Sequence, residues 1–197
     1  MTRPIRTSLL LLALAVSTSA IAGNSLISPG PQKGIAKSAL SATPDGEWNR
    51  LGRRDGKFVE LWTKDGDNLN KVAFFGGVPV GTPMFREADK KNRPLPKVSE
   101  NMLITDIPTL LESSYRIQFN VNLMTIDSQE PASFDGHPGI KFTYTFVTER
   151  DGVERKGEAL GAFVKDRLYL VSYEAPTIYF FEKDLPAFRN LASTLKL

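Results

Sequence analysis

Cysteine is absent from the 197-residue chain. That excludes a disulfide framework, a thiolate nucleophile and a sulfur-ligated metal site. It also excludes the lipid-modified Cys that would anchor a processed lipoprotein. Histidine occurs once, so a zinc site would have a single imidazole to draw on. There is no Gly-x-Ser-x-Gly elbow to expose a nucleophile and no Gly-Lys-Ser/Thr ending to cradle phosphates. The longest unbroken apolar run, 9–16, has eight residues, against the roughly 20 needed to span a bilayer as a helix. A clustered excess of one charge is missing as well. The formal +3 counts Arg3 and Arg6; without them 23 basic residues face 22 acidic ones, a net of +1. Nucleic-acid binding, which needs massed Lys and Arg against phosphates, has no support here.

What is present begins with an address. Arg3 and Arg6, the apolar run 9–16 and the small residues ending in Ala20-Ile21-Ala22 stand in the order a signal peptidase requires. The expectation is a signal peptide over 1–22, cleaved near Ala22, and a periplasmic or secreted protein with no transmembrane segment. Residues 23–46 carry Ser, Gly, Pro, Ala and Lys with few large apolar groups, and are expected as a flexible tether. The alternative is a short helix over 35–40 that docks elsewhere. Residues 47–197 then make one domain, large enough to bury about two thirds of its unfolded surface without staples.

Order begins at Trp48. Runs 47–51 and 58–63 flank Arg53-Arg54-Asp55-Gly56, whose Asp-Gly pair suits a tight hairpin, and Asp65-Gly66-Asp67-Asn68 turns the chain into the apolar run 69–78. Residues 82–99 break the pattern through Pro83, Pro94 and Pro96. Asp106-Ile107-Pro108 opens a helix with Ile107, Leu110, Leu111 and Tyr115 on one stripe, and Asp184-Leu185-Pro186 opens a second with Leu185, Phe188, Leu191, Ala192 and Leu195. Between them Ile140, Phe142, Tyr144 and Phe146 alternate with Lys141, Thr143 and Thr145, a period of two. Turns at Asp151-Gly152 and Lys165-Asp166 continue this strand into a three-stranded meander, and a strand near 123–128 pairs with it. The class is α+β: a mainly antiparallel twisted sheet with two flanking helices.

The end of the chain resembles PsbP-like domains, a superfamily that includes DcrB-like bacterial envelope proteins. The resemblance lies in the strand Leu168-Tyr169-Leu170-Val171-Ser172-Tyr173, the aromatic spacer Tyr179, Phe180 and Phe181, and a closing helix ending in Ala192-Ser193-Thr194-Leu195. The stretch Glu60 to Gly66 is also similar to one in small uncharacterised exported proteins of Gram-negative bacteria. The resemblance implies a layered sandwich acting as an accessory or binding module without catalytic residues, so no functional motif carries over. DcrB-like members are often lipid-anchored; lacking Cys, this chain departs from them.

Among candidate sites, the segment from Met84 to Lys97 within the loop 82–99 stands out, because long ordered loops are disproportionately functional. Phe85, Arg86, Lys90, Lys91, Arg93 and Lys97 would suit an anionic lipid head group, lipopolysaccharide or an acidic protein face. The bland reading is a solvated loop whose Phe85 tucks into the core. His137 beside Asp135 has the chemistry of a general base, but its Gly-Pro-Gly setting reads as a turn. Asp65, Asp67, Asn68 and Asn70 offer hard oxygens without the order of an EF-hand. Gly76 and Gly77 read as a strand end or bulge, and Trp48 and Trp62 as core rather than an aromatic platform. No catalytic, metal or cofactor residue is assigned. The function expected is an envelope binding or assembly module whose partner is an envelope protein or anionic envelope component. The alternatives are a carrier of an apolar or lipidic ligand in a pocket lined by Phe142, Tyr144 and Phe146, and, third, a hydrolase.

Overall fold

The alternation of Ile140, Phe142, Tyr144 and Phe146 sets the sidedness of a sheet whose strands run from Ser25 to Pro176. In the computed structural model, which describes residues 23–197, eight antiparallel strands stand in the order β1-β2-β3-β4-β8-β7-β6-β5. They are β1 (Ser25–Ile27), β2 (Trp48–Arg50), β3 (Val59–Thr63), β4 (Lys71–Pro79), β5 (Val121–Phe134), β6 (His137–Thr148), β7 (Glu154–Val164) and β8 (Arg167–Pro176). Helix α1 (Ile107–Gln118) follows β4, and α2 (Phe180–Ser193) follows β8. The expected signal peptide, 1–22, lies outside the described residues. No helix among the described residues is long and apolar enough to cross a membrane.

The sheet is covered on both faces, because β3, β4 and β8 are buried at nearly every position. Leu61, Phe75, Leu168 and Leu170 join α1's Ile107, Leu110, Leu111 and Tyr115 in one cluster. Trp62, Phe74, Val171 and Tyr173 join α2's Phe181, Leu185, Phe188 and Leu191 in the other. Period-two alternation is therefore legible only on β6, which presents one half-buried face, and is hidden on strands buried from both sides. On β7, Gly157 and Gly161 make room on the α1 side: an added Cβ would lie 2.0 Å from the Tyr144 ring at Gly157, and 3.2 Å from Ile107 at Gly161.

Three expectations are corrected. Residues 23–46 are no tether: β1 pairs with β2, Gln32 pairs with Ala42, Ser41 pairs with Lys196, and Ile27, Ile35, Leu40 and Ala42 are buried against the α2-side cluster. The few apolar groups of this segment suffice because the sheet supplies a ready face around Trp48, Trp62 and Phe74. The docked piece is a turn at Ile35–Lys37 rather than a helix over 35–40, since Ala36 and Lys37 have φ of 53° and 58°. Second, β2 and β3 pair without a tight turn at Asp55-Gly56; Gly56 does not use positive φ and serves a close approach described below. Third, α2 starts at Phe180, so Pro186 lies inside it and Asp184 is no cap. Asp184 is buried and accepts a hydrogen bond from Asn70 Nδ2 at 2.9 Å, which ties α2 to the β3–β4 turn. At Gly76 and Gly77 the register of β4 against β8 shifts, the bulge read from the glycines.

Two predictions follow from this packing. A Cβ at Gly76 would meet Ser38 Oγ at 2.5 Å and Ala36 Cβ at 2.8 Å, so Gly76→Val is expected to eject the 35–38 turn. Limited proteolysis should then cut within 28–42 in the variant and spare that stretch in the wild type. Burial, and next the neighbouring Asp65, push the Asp184 carboxyl above its ordinary pKa. A carboxyl raised on folding favours the folded state below its unfolded pKa, and that contribution is lost as pH rises through the folded value. Asp184→Asn, which cannot ionise, should therefore raise Tm near about pH 7, with the gain vanishing near about pH 3, below the ordinary Asp value of about 3.9. A Tm difference independent of pH would assign the effect to the hydrogen bond with Asn70 instead.

Candidate anion-binding site

The irregular segment between β4 and α1 is closed at its base. Gly81 N–H donates to Val98 O at 2.8 Å, Val98 N–H donates to Thr82 O at 3.1 Å, and Pro83 pairs with Lys97. Met84, Phe85, Leu95 and Val98 turn inward beneath α1. Phe85 packs edge-on against Phe75, Tyr115 and Phe119 with ring centroids 5.3, 5.8 and 5.1 Å away. Phe85 as a surface contact residue is thus corrected: at 4% exposure it anchors the loop, which its size and the neighbouring rings favour over water.

That anchor leads Arg86 out beside two other cations. Arg86 N–H donates to Asp55 O at 2.7 Å. A Cβ on Gly56 would lie 2.8 Å from Met84 O, so the 52–58 connection and the 82–87 limb touch backbone to backbone only because residue 56 is glycine. Arg54 and Lys57 arrive with it. From the other side Lys37 is held by its neighbour: Ala36 N–H donates to Glu60 Oε2 at 3.1 Å, and Glu60 Oε1 accepts from Trp62 Nε1 at 2.9 Å. Two consecutive non-glycine residues at positive φ carry conformational strain, and the Glu60 bond and the gap at Gly76 hold them there.

The result is a cavity of about 410 Å³ lined by Lys37, Arg54, Lys57 and Arg86, with Phe58 and Phe85 behind and Glu87 as the one carboxylate in its lining. Among the described residues Lys37, Lys57 and Arg86 form no ion pair within 4.0 Å. Glu87 accepts from Leu95 N–H at 3.2 Å, which leaves it turned to its own loop. Arg54 reaches Glu60 with Nη2 at 3.5 Å, while its Nη1 is buried without an acceptor. A buried guanidinium nitrogen and three unmatched cations around one hollow call for an anionic oxygen.

The predicted set is only partly assembled here. Arg86 lines the cavity. Arg93 does not: its Nη2 donates to Ile117 O at 2.7 Å and Asn120 Oδ1 at 2.8 Å, a cation closing the C-terminus of α1. Lys90 and Lys91 are exposed at the tip, beside the Asp89–Asn92 turn, and Lys97 is exposed on the returning limb. Sequence reading missed Lys37, Arg54 and Lys57, and the signal that points to them is Gly56 and Gly76, glycines placed for close approach.

The other candidates resolve into structure. His137 is exposed at the start of β6 opposite Phe134, and Asp135 accepts from Lys196 Nζ and Leu197 N–H, each at 2.8 Å, rather than from His137. Asn70 Oδ1 accepts from Thr63 Oγ1 and Lys64 N–H at 2.8 Å, and no group of three or more His, Asp or Glu among the described residues is placed to hold a metal. Trp48 and Trp62 are buried. Phe142 and Tyr144 are fully buried in the cluster under α1, and Phe146 reaches a cavity.

Glu60 is the support on which Lys37 depends. Glu60→Gln keeps one carbonyl oxygen, so one of two donors, Ala36 N–H or the Trp62 indole, meets an amide NH2 and loses its partner. The expected cost is about 1–3 kcal/mol in urea unfolding, with faster hydrogen exchange at Ala36.

No family model matches the chain, and no curated protein matches it either. Among solved structures, cyanobacterial PsbP from Synechocystis is similar at 14% identity with a TM-score of 0.52, covering 91% of this chain and 95% of that one. A protein from Bacteroides thetaiotaomicron is similar at 9% identity and a TM-score of 0.49, over 86% of this chain; the match spans 48% of that longer protein. LpqN of Mycobacterium tuberculosis, described as involved in cell envelope biogenesis, gives 7% identity and a TM-score of 0.32 over 90% of this chain and 86% of that one. The likeness to cyanobacterial PsbP, together with one antiparallel sheet and two helices, shows that this chain has the PsbP-like fold.

Proposed function

We propose that this protein is a non-catalytic binding module of the cell envelope that recognises an anionic envelope component through the groove formed by Lys37, Arg54, Lys57 and Arg86. The observation that carries it is the imbalance of charge in the groove lining, four cations, of which Arg54 alone has an ion pair, against Glu87. A protein near net +1 without Arg3 and Arg6 has no general surplus to spread over its surface, so unmatched cations gathered at one hollow need a local reason. The Arg3–Ala22 pattern supports placing it outside the cytoplasm. No catalytic residue is assigned, because His137 stands alone at a hairpin and makes no bond to Asp135. A lipid carrier would need an apolar cavity, and Phe142 and Tyr144 already occupy the space where one would open.

Sedimentation with phosphatidylglycerol vesicles and with phosphatidylcholine vesicles tests the reading. The wild type is expected to bind only the anionic vesicles, and less at higher salt. Each basic residue near such a surface contributes about 1 kcal/mol, so Lys57→Glu with Arg86→Glu should weaken binding by about tenfold or more. Equal binding of the wild type and the double variant would remove the groove from the account.

A further inference from the structure

A second cavity, of about 290 Å³, shares no lining residue with the basic groove. It opens where the C-terminal end of α1 meets the β3–β4 and β6–β7 turns. Its floor is a buried polar set: Glu174, 7% exposed, accepts from the Tyr115 hydroxyl at 2.6 Å and pairs with Lys71 Nζ at 2.7 Å. Burial, and then the Glu174 charge, push the Tyr115 hydroxyl well above its ordinary pKa, so it stays a donor. Phe119 and Phe146 form the walls, edge-on to Tyr115 at 5.1 and 5.4 Å.

A buried ion pair is a poor device for stability, since well-packed apolar residues serve as well or better. A charged floor under aromatic walls in an open cleft is what a ligand site needs. The balance of donors shows which ligand. Both Glu174 oxygens are engaged, and the Lys71 ammonium, paired with Glu174 and 5.6 Å over the Phe119 ring, keeps donors to spare. At the rim, Arg155 is matched by Asp151 and Asn68 O, each at 2.9 Å. Arg150 is not: its Nη2 donates to the Asn68 side-chain oxygen at 3.0 Å, and it has no carboxylate within 4.0 Å among the described residues. The surplus in this cavity is therefore cationic donors at floor and rim, with apolar ring surface between them.

We propose that this cavity binds a small organic carboxylate, its carboxylate held by Lys71 and Arg150 and its apolar body lying against Phe119 and Phe146. The volume stands at the lower end of ligand pockets, about 300 Å³ upward, and suits one ring or a short chain rather than a lipid.

Three probes of one shape separate the possibilities by NMR titration of the whole protein: benzoate, benzyl alcohol and benzylamine. Saturable shifts at Phe119 and Phe146 are expected with benzoate, and binding at least about tenfold weaker, about 1.4 kcal/mol, with the neutral alcohol. Arg150→Gln, at an exposed position that leaves the core untouched, should weaken benzoate several-fold, and Phe119→Leu should weaken benzoate and the alcohol alike. Arg86→Glu should leave benzoate unchanged, which separates this site from the groove. Benzylamine binding as well as or better than benzoate would overturn the proposal, as would benzoate affinity unmoved by Arg150→Gln or no saturation by benzoate up to about 10 mM.

Discussion

The rest of the structure depends on one constraint: β3, β4 and β8 carry large apolar side chains on both faces, so both faces must be covered. All five residues of β3 are buried, and so are all of β8 after Arg167. Two helices of 12 and 14 residues cannot cover both sides of an eight-stranded sheet by themselves. The remaining area is taken by segments with no regular structure, the N-terminal stretch on the α2 side and the 84–98 segment on the α1 side. Each large apolar group so placed contributes about 1.5–3 kcal/mol relative to exposure, which is why Ile35 and Phe85 hold irregular backbone in place.

The same constraint sets where charge can go. Glu60 and Glu174 lie near the ends of β3 and β8, and both cavities lie there. At the start of β3, Glu60 is buried under Ala36 and Trp62 and pairs with Arg54, while the nearby Lys37, Lys57 and Arg86 are exposed and unmatched. Toward the end of β8, Glu174 is matched by Lys71 and Tyr115 before any outside group arrives. The two hollows differ in kind: four cations face one carboxylate in the lining of the first, and four face three in the second.

Much of the fold is legible in the sequence because its signals are local. The β6 alternation, the α1 stripe and the turns at Gly66, Gly136 and Gly152, all at positive φ, need no distant partner. The docking of 23–46 is not legible, because its reason lies on β4: Gly76 has no Cβ to block Ala36 and Ser38. The start of α2 is misread for a similar reason. Asp184-Leu185-Pro186 has the chemistry of a cap, but Phe181 packs on Tyr173 with ring centroids 5.5 Å apart and draws the helix back to Phe180. Of the candidate site, sequence supplies Arg86 as part of a basic loop. Arg54, Lys57 and Lys37 join it only through backbone contacts that span the fold.

The strand order also shapes how the protein must fold. Every neighbouring pair in the sheet is close in sequence except β4 with β8, where Lys71 meets Glu174. Two meanders, β1 to β4 and β5 to β8, are therefore joined by a single seam of high sequence separation, which makes its closure slow relative to the local hairpins. Until β8 has been synthesised, β4 shows an open edge with Phe74 and Phe75 on either face, the kind of edge that recruits other chains. The seam that completes the sheet is thus also the point at which an unfinished molecule is most exposed to aggregation.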